Sequence, residues 1–502
     1  MRAALTAMFL TGMLASTGCV VGPNYKRPSA PAPPAFKESP PPDFKEAEAQ
    51  GWKQAEPGDA YFKGRWWEVY KDPDLNALEE QVAISNQNVA QLEATYNQAK
   101  AAVRVARAAL FPTVSTGPAI TFSGSGNGGS AVGATGTIVS SGAATAPSAV
   151  RQFYNLPVDV SWEPDLWGAI RRNINGVVDT AQADAGDVEN AKLLYQSELA
   201  SDYFELHGID TEIDLLTKTE ASYQEYLALT YNRFTGGIAS DLDIAQAETQ
   251  LYGVQTTLID LGVQRAQFEH AIAILIGKAP VDLDVNSKPL STTPPPVPVG
   301  VPSALLERRP DIAAAERRVA AANEQIGIAI AAFYPTLTLS GGAGFESSSL
   351  AKWFTWPSRF WSVGPSLSET LFDAGRRSGV VAEERAAYDG TVATYRQTVL
   401  TALQQVEDNL AALRILEMEA VKIADNMKAA TRALSVSTDQ YKAGIVNYLT
   451  VITAQATLLN IQVSEVTLQS RRMVASVTLV QALGGGWDTS KLPPREDITE
   501  RH

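Results

Sequence analysis

The stretch Gly237-Ile238-Ala239 recurs 207 residues later as Gly444-Ile445-Val446, and the same spacing continues through the residues that follow. The matched apolar positions are Leu242, Ile244, Ala247 and Leu251 in the first copy and Leu449, Val451, Ala454 and Leu458 in the second. A period of about two hundred residues is too long for a solenoid. The repeat therefore predicts two similar halves of one architecture.

Further matches set the extent of the repeat. The offset of 207 also carries Gly168 onto Gly375 and Gly277 onto Gly484. Upstream, the offset is 223, and it carries Leu110-Phe111-Pro112-Thr113 onto Phe333-Tyr334-Pro335-Thr336. The offsets differ because the first copy has a longer loop before its next predicted strand.

Prolines divide the sequence into predicted helical stretches. The stretches without proline are 74–111, 165–279, 311–334 and 366–492, in the order short, long, short, long. Because proline is excluded from helix interiors, these are the places where a helix can run unbroken. A continuous helix of roughly 65 residues would reach about 100 Å, which is more than a globular domain needs.

The apolar pattern in the last stretch is that of a coiled coil. Its members follow steps of four and three residues: Val399, Leu403, Val406, Leu410 and Leu413, and after one skip Leu416, Ala420, Ile423, Met427, Ala430 and Leu434. This spacing indicates a coiled-coil seam. Small residues on neighbouring faces, such as Ala313-Ala314-Ala315, would let helices pack on two sides, as a closed tube requires.

Between each short and long helical stretch lies a predicted strand pair. The first pair is roughly 113–123 and 152–164, and the second is roughly 336–346 and 359–371. Apolar and polar residues alternate along these segments, as in transmembrane β-barrel strands, although a half-buried strand of a soluble sandwich alternates in the same way. Four strands cannot close a barrel, because bacterial barrels begin at eight. Three copies of the chain would supply twelve.

The chain begins with a predicted targeting segment. Met1-Arg2 precedes an apolar stretch, Ala3 to Leu14, that is too short to span a bilayer as a helix. We interpret residues 1–18 as a signal peptide. Cys19, the only cysteine of the chain, follows small residues at its end and resembles the lipidated first residue of a bacterial lipoprotein. An ordinary signal peptide that contains a cysteine is the alternative.

Charge and motif content argue against several functions. Lys and Arg together number 41 against 55 Asp and Glu, a net charge of -14, which argues against a nucleic-acid partner. His207, His270 and His502 lack metal-ligand spacing, and the chain has no phosphate loop or nucleophile elbow. We therefore expect no enzyme, no catalytic residues, no cofactor and no bound metal. We expect His207 and His270 to pack between helices.

Several motifs together resemble those of one protein family. They are Val21-Gly22-Pro23-Asn24-Tyr25-Lys26-Arg27-Pro28, Trp66-Trp67 before Asp72, Leu305-Leu306-Glu307-Arg308-Arg309-Pro310-Asp311-Ile312, and Asp373-Ala374-Gly375-Arg376. With the duplication, they resemble the TolC-like outer membrane factors, in particular the lipoprotein branch of RND-type efflux channels, the NodT subfamily. The resemblance implies an α+β membrane protein. It would be a homotrimer with a twelve-stranded transmembrane β-barrel, four strands from each chain, continued by a long periplasmic α-helical coiled-coil barrel.

The resemblance also implies a location, partners and a function. The chain would be lipid-anchored and membrane-spanning in the cell outer membrane, with a large periplasmic part. It would work with a periplasmic adaptor, or membrane fusion protein, and an inner-membrane RND pump, as a passive exit duct for small molecules and drugs. The alternatives are the channel of a type I protein secretion system and, from another class, a periplasmic coiled-coil structural or adaptor lipoprotein without a pore.

The domain organisation follows from these features. The predicted segments are a signal peptide at 1–18, a lipid-anchored proline-rich tether at 19–60, the first repeat at 61–285, a proline-rich linker at 286–302, the second repeat at 303–486 and a polar tail at 487–502.

The glycine turns are the candidate functional sites. Gly236-Gly237 and Gly444 interrupt long helical stretches and predict helix-to-helix turns. In the family this end tapers to a closed entrance. By the resemblance, Asp243 falls on the position of a gate-linking aspartate, with Asp241 beside it, and threefold rings of carboxylates would favour cations. Capping of the following helix is the alternative role of both aspartates.

The second copy departs from the family at its turn. Thr450 and Thr453 stand where relatives often carry pore-constricting aspartates, so a second acidic ring is not expected. By the same matching, Leu449 would form a hydrophobic constriction that resists wetting. An ordinary place in a coiled-coil core is the alternative for Leu449.

Overall fold

The computed structural model describes residues 20–38, 53–54, 64–124, 151–291, 293–295, 298–299 and 305–499. The predicted signal peptide and Cys19 lie outside these residues. Contacts divide the chain into two units. The first comprises Met1–Lys26, Lys100–Asp179 and Ala320–Asp389, and the second comprises Arg27–Ala99, Thr180–Val319 and Gly390–His502.

The first unit contains an antiparallel sheet. Its strands are β1 (Thr113–Thr116), β2 (Ala119–Ser123), β3 (Arg151–Trp162), β4 (Thr336–Ser347) and β5 (Arg359–Ser368). Both β1 and β2 pair with β3, which pairs with β4, which in turn pairs with β5. The described sheet therefore has two outer edges, one formed by β1 and β2 and the other by β5.

The expected strand at 113–123 is interrupted rather than continuous. The break falls at Gly117-Pro118, where proline has no N–H to donate to the ladder. The register is the same on both sides of the break, since Thr116 lies opposite Val158 and Ala119 lies opposite Asn155. The two short strands thus act as one edge.

Seven helices longer than ten residues occur in the described chain. They are α1 (Pro73–Ser85), α2 (Gln87–Ala108), α3 (Ala169–Thr235), α4 (Asp241–Leu275), α5 (Pro310–Ala331), α6 (Arg376–Lys442) and α7 (Tyr448–Ala482). α3 and α6 both have 67 residues, α4 and α7 both have 35, and α2 and α5 both have 22. The first and last residues of α5 are those of α2 shifted by 223. The first and last residues of α6 and α7 are those of α3 and α4 shifted by 207.

Short elements complete the described structure. They are 3₁₀ turns at Trp66–Tyr70, Pro280–Asp282, Leu350–Lys352, Trp356–Ser358 and Thr489–Lys491, short helices at Leu305–Arg308 and Arg495–Thr499, and a parallel pair of Lys53–Gln54 with Pro298–Val299. None of the helices in the described ranges combines the length and the apolar character needed to cross a membrane.

The proline-free stretch 74–111 forms two helices and not the single one expected. Asn86 separates them: its side-chain oxygen accepts two backbone N–H groups at the start of α2, and its Nδ2 donates to the Leu275 carbonyl at 2.8 Å. Arg309 stands at the equivalent place in the second copy and donates to the Ala482 carbonyl at 3.0 Å. Capping by a side chain can end a helix without proline, so the proline pattern could not reveal this break.

The interior of the second unit contains the coiled-coil seam and one of the two helical histidines. Leu416 of the predicted seam is 4% exposed and packs with Leu468 of α7. His207 is buried in α3, with its Nδ1 3.0 Å from an Asp210 oxygen. His270 is exposed on α4, so the expectation that it packs between helices is wrong for the single chain, because the apolar face of α4 turns the other way.

Candidate gate at the two helical hairpins

The first hairpin joins α3 to α4 through a glycine turn. Gly237 has a φ of +74°, and Gly236 lies beside it, just after the end of α3. The N–H groups of Gly237 and Ile238 donate to carbonyls near the end of α3, at 2.9 and 2.8 Å. This is a Schellman motif, which needs positive φ after the helix and therefore favours glycine.

The second hairpin repeats this turn between α6 and α7. Gly444 has a φ of +73°, and the N–H groups of Gly444 and Ile445 donate to carbonyls near the end of α6, at 3.0 and 2.9 Å. The isoleucine after the glycine, Ile238 or Ile445, is 72% exposed in both copies. The two turns therefore share one backbone conformation.

The caps of the helices that leave the turns differ in charge. Ser240 caps α4 in a capping box with Asp243, whose Oδ2 accepts both the N–H and the hydroxyl of Ser240 at 2.8 Å. Asn447 caps α7, and its Oδ1 accepts the N–H and the hydroxyl of Thr450 at 3.2 and 2.9 Å. Asp243 thus acts as a capping residue here, and the second copy caps its helix without charge.

Aromatic and polar contacts join the two hairpins within the chain. The Arg233 guanidinium, at the end of α3, lies 4.3 Å from the ring centre of Tyr441. The Tyr441 ring contacts the ring of Tyr448 at 5.3 Å, and the Tyr448 hydroxyl is hydrogen-bonded to Thr230 of α3. Burial raises the pKa of Tyr448 to about 12, so its hydroxyl stays protonated at neutral pH. The two hairpins are therefore held together by contacts that separation would break.

A groove of about 520 Å³ lies along α6 and α7 next to the second turn. Its lining residues are mostly small or hydroxylated: Ala430, Ala433, Ser437, Asn447, Leu449, Thr450, Thr453, Ala454 and Thr457. The repeat equivalents of Ala430 and Ala433 are Tyr223 and Tyr226. Tyr223 is 5% exposed in the core between α3 and α4, so the first copy places aromatic rings where the second copy leaves space.

The predicted gate residues fall into two groups. Asp241 and Asp243 lie in the first turn of α4, outside the groove, whereas Leu449 and Thr453 line it. Leu449 is 50% exposed, and the Thr453 hydroxyl donates to its carbonyl at 2.9 Å.

The contacts of Arg233, Tyr441 and Tyr448 were not predicted from the sequence. The repeat contains one indication of these contacts, because Tyr448 occupies the position equivalent to Asp241. A large ring in place of a carboxylate indicates that the second copy buries what the first exposes.

Comparison with known proteins gives the family. The family model described as outer membrane efflux protein matches residues 78–278 and 301–485. The chain belongs to the outer membrane efflux protein family. This efflux protein is 30% identical over 491 residues to the probable efflux pump outer membrane protein SepC of Pseudomonas putida, covering 96% of this chain and 97% of SepC. It is 28% identical to the pyoverdine export outer membrane protein OpmQ of Pseudomonas aeruginosa, covering 86% of this chain and 90% of OpmQ.

Solved structures give the same result for the fold. The outer-membrane channel OprN superposes with a TM-score of 0.82 at 26% identity, covering 93% of this chain and all of the OprN chain. The outer membrane protein VceC of Vibrio cholerae superposes with a TM-score of 0.76 at 25% identity, over 85% of this chain. The efflux protein therefore has the TolC-like channel fold and is an outer-membrane component of an efflux pump. The predicted efflux-protein family, channel fold, efflux function and outer-membrane location are confirmed, whereas the lipoprotein branch and the lipid anchor stay predictions.

Proposed function

We propose that three copies of this efflux protein close into one exit duct, with a twelve-stranded barrel in the outer membrane and a helical tunnel in the periplasm. The observation that carries the proposal is a sheet of four strand positions with two outer edges. Open sheet edges cannot face lipid, and bacterial barrels begin at eight strands. Trp361, Val363 and Leu367 of β5 are 79%, 77% and 69% exposed, as apolar residues that face lipid would be. Three chains satisfy these requirements.

The duct is proposed to conduct passively, with an adaptor and an inner-membrane RND pump as partners. Relatives are named for the efflux of toluene and for the export of pyoverdine, both small molecules. By that similarity, the cargo of this chain is small molecules that the pump selects. The charge and motif content of the sequence gives no basis for an energy-coupling step in the duct itself.

A lipid anchor at Cys19 is part of the proposal. The segment that follows is held in place: the Val21 N–H donates to the Trp167 carbonyl at 3.1 Å, and Arg172 Nε donates to the Val21 carbonyl at 2.5 Å. Val21, two residues after the proposed attachment point, is thereby tied to the passage from β3 to α3. Mass spectrometry of the mature N-terminus should find acylated Cys19; an unmodified N-terminus would remove the anchor from the proposal.

The gate is proposed to open by separation of the two hairpins. In this arrangement, Leu449 and Thr453 face the constriction, and the contact of Arg233 with Tyr441 holds the closed state. Gly236, Gly237 and Gly444 form the turns, and Asp241 and Asp243 add a ring of negative charge.

The proposed organisation of the chain has segment boundaries at 1–18, 19–60, 61–285, 286–302, 303–486 and 487–502.

Planar-bilayer recording tests the proposed channel. The purified full-length chain should migrate as an SDS-resistant trimer and produce discrete conductance steps. A chain that forms trimers without conductance, or remains monomeric, contradicts the proposal and favours a periplasmic lipoprotein without a pore. Export of a protein, and not of small molecules, when the chain is combined with a secretion adaptor would favour the type I alternative.

A further inference from the structure

The repeat relates strand pairs within one chain residue by residue. Two pairs of the first copy map onto two pairs of the second, Thr113–Ser161 onto Thr336–Ser368 and Ala119–Asn155 onto Gly342–Ser362. The offsets found in the sequence therefore also hold for the register of the sheet. Any pair that joins the two copies should have an equivalent as well.

That equivalent is absent from the described chain, whose sheet leaves both strands concerned at its edges. Strand β3 of the first copy pairs with β4 of the second, so the equivalent pairing runs from β5 to β1 and β2, the two outer edges of the described sheet. Leu156 lies opposite Phe345 in the β3–β4 pair. The offsets carry this pair onto Val363 and Phe122, which are 77% and 62% exposed. A second chain paired in this register would place these two side chains directly opposite each other.

The helices next to β3 and β4 make a buried ion pair in one chain. Arg172 of α3 is 2% exposed, and its Nη1 lies 3.0 Å from Glu324 of α5. Small residues make room for both side chains. A Cβ atom on Gly327 would overlap Arg172, and a Cβ atom on Gly176 would lie 3.5 Å from that of Glu324. Each charged residue thus packs against a glycine of the other helix.

The repeat equivalents carry the same charges on opposite helices. At the positions of α6 that are equivalent to Arg172 and Gly176 of α3, the chain has Gly379 and Glu383. At the positions of α2 that are equivalent to Glu324 and Gly327 of α5, it has Ala101 and Arg104. Arg104 and Glu383 are exposed, and neither has a hydrogen bond or ion pair within the described chain. Nothing in the described chain lies within 4 Å of a Cβ atom on Gly379, so space is open there for an incoming side chain.

We propose that β5 and α6 of one chain join β1, β2 and α2 of the neighbouring chain in the trimer. Val363 then lies opposite Phe122 of the partner subunit, and Glu383 pairs with Arg104 of the partner subunit. The proposal rests on the threefold closure described above and specifies its joint. Charge complementarity and the exchange of small and large residues commit the surface to a second copy of this chain.

Cysteine cross-linking of the full chain in outer membranes tests the strand register. A disulfide needs Cβ atoms about 3.5–4.5 Å apart, which directly opposed strand residues approach and residues shifted by two do not. The variant V363C/F122C should give disulfide-linked trimers on oxidation. The displaced pair W361C/F122C and each single cysteine variant should give few. Stronger cross-linking of the displaced pair overturns the proposed register.

Charge reversal tests the helix pair. R104E and E383R should each lower the fraction of SDS-resistant trimer roughly tenfold, because each places like charges together at the joint. The double variant R104E/E383R should restore it, whereas R385E, on another side of α6, should leave it unchanged. If the wild-type chain forms conducting trimers but R104E/E383R does not restore the trimer fraction, the proposed contact is wrong and the threefold closure stands. A wild-type chain that remains monomeric overturns the threefold closure itself.

Discussion

The two hairpins share a backbone and differ in chemistry. Gly237 and Gly444 have φ values of +74° and +73° and form the same motif. One residue after the N-cap, the first copy has the exposed Asp241 and the second has the buried Tyr448. The comparison shows that glycine fixes the turn, while the side chains around it are free to specialise. Any asymmetry of the proposed gate would therefore be a property of the side chains and not of the turn.

The largest expected effect is on the free energy of unfolding, at the position where the first copy has Asp241 and the second has Tyr448. Tyr448→Ala should lower the free energy of unfolding by about 3 kcal/mol or more, because it removes a buried ring that contacts Tyr441 and Thr230. Asp241→Ala, its exposed equivalent, should change it by less than about 0.5 kcal/mol. Thermal unfolding of the detergent-solubilised protein measures both. Equal effects would show that the hairpins do not differ in burial.

A second substitution should affect both copies equally. Gly237→Ala and Gly444→Ala should each cost about 1–2 kcal/mol, since a residue with a Cβ atom is strained at positive φ. Gly253→Ala, within α4 and with nothing near its Cβ position, is the control and should stabilise the protein slightly. Chemical denaturation provides the measurement. A cost confined to one turn would contradict the shared backbone.

A third difference concerns charge within the long helices. Burial, with Glu198 and Glu205 nearby, raises the pKa of Asp202 to about 6, and its repeat equivalent is the neutral Asn409. The raised pKa means that the folded state binds the proton more tightly than the unfolded state. Stability is therefore lost as pH rises from the unfolded value towards 6.

Asp202→Asn should make the first copy resemble the second. It should stabilise the protein at pH 7 by about 1 kcal/mol or less, because the partly exposed carboxylate is screened by solvent. It should also flatten the dependence of melting temperature on pH between about 4 and 6. Melting curves across this range test the expectation, and an unchanged slope would assign the pH dependence to other groups.

The smallest effect on stability should come with a change in conductance. Leu449→Ala should alter the free energy of unfolding by less than about 1 kcal/mol, since Leu449 is half exposed, but it should raise single-channel conductance. Leu242→Ala, the equivalent change in the first copy, should leave conductance unchanged. Recordings from the isolated trimer compare the two. Unchanged conductance in Leu449→Ala would remove Leu449 from the gate.

Much of the fold could be predicted because repeats and prolines are visible in the sequence. The offset of 207 relates the equivalent turns, and the offset of 223 relates the segments that lead into the first strand of each pair. The sequence also predicts the second strand pair within a few residues of its observed limits. The break at Asn86 was not predictable from proline alone, because it depends on a side chain that caps α2 and also reaches Leu275. Local patterns do not reveal such long-range partners.

The candidate site was less accessible from the sequence. The sequence predicts the glycine turns, and it predicts capping as one of two roles for Asp243. The contact of Arg233 with Tyr441 joins residues that are distant in the chain. Its formation depends on how the two hairpins pack, which periodicity within one helix does not encode.

The equal lengths of the matched helices also constrain how the protein can change. α3 and α6 have 67 residues each, and α4 and α7 have 35 each. Removing one heptad from both helices of a single hairpin would shorten it by about 10 Å and leave three long and three short hairpins alternating around the proposed trimer. A partner could then contact only half of the rim. Insertions and deletions should therefore occur in both halves of the gene together, because only paired changes keep the two hairpins equal in length.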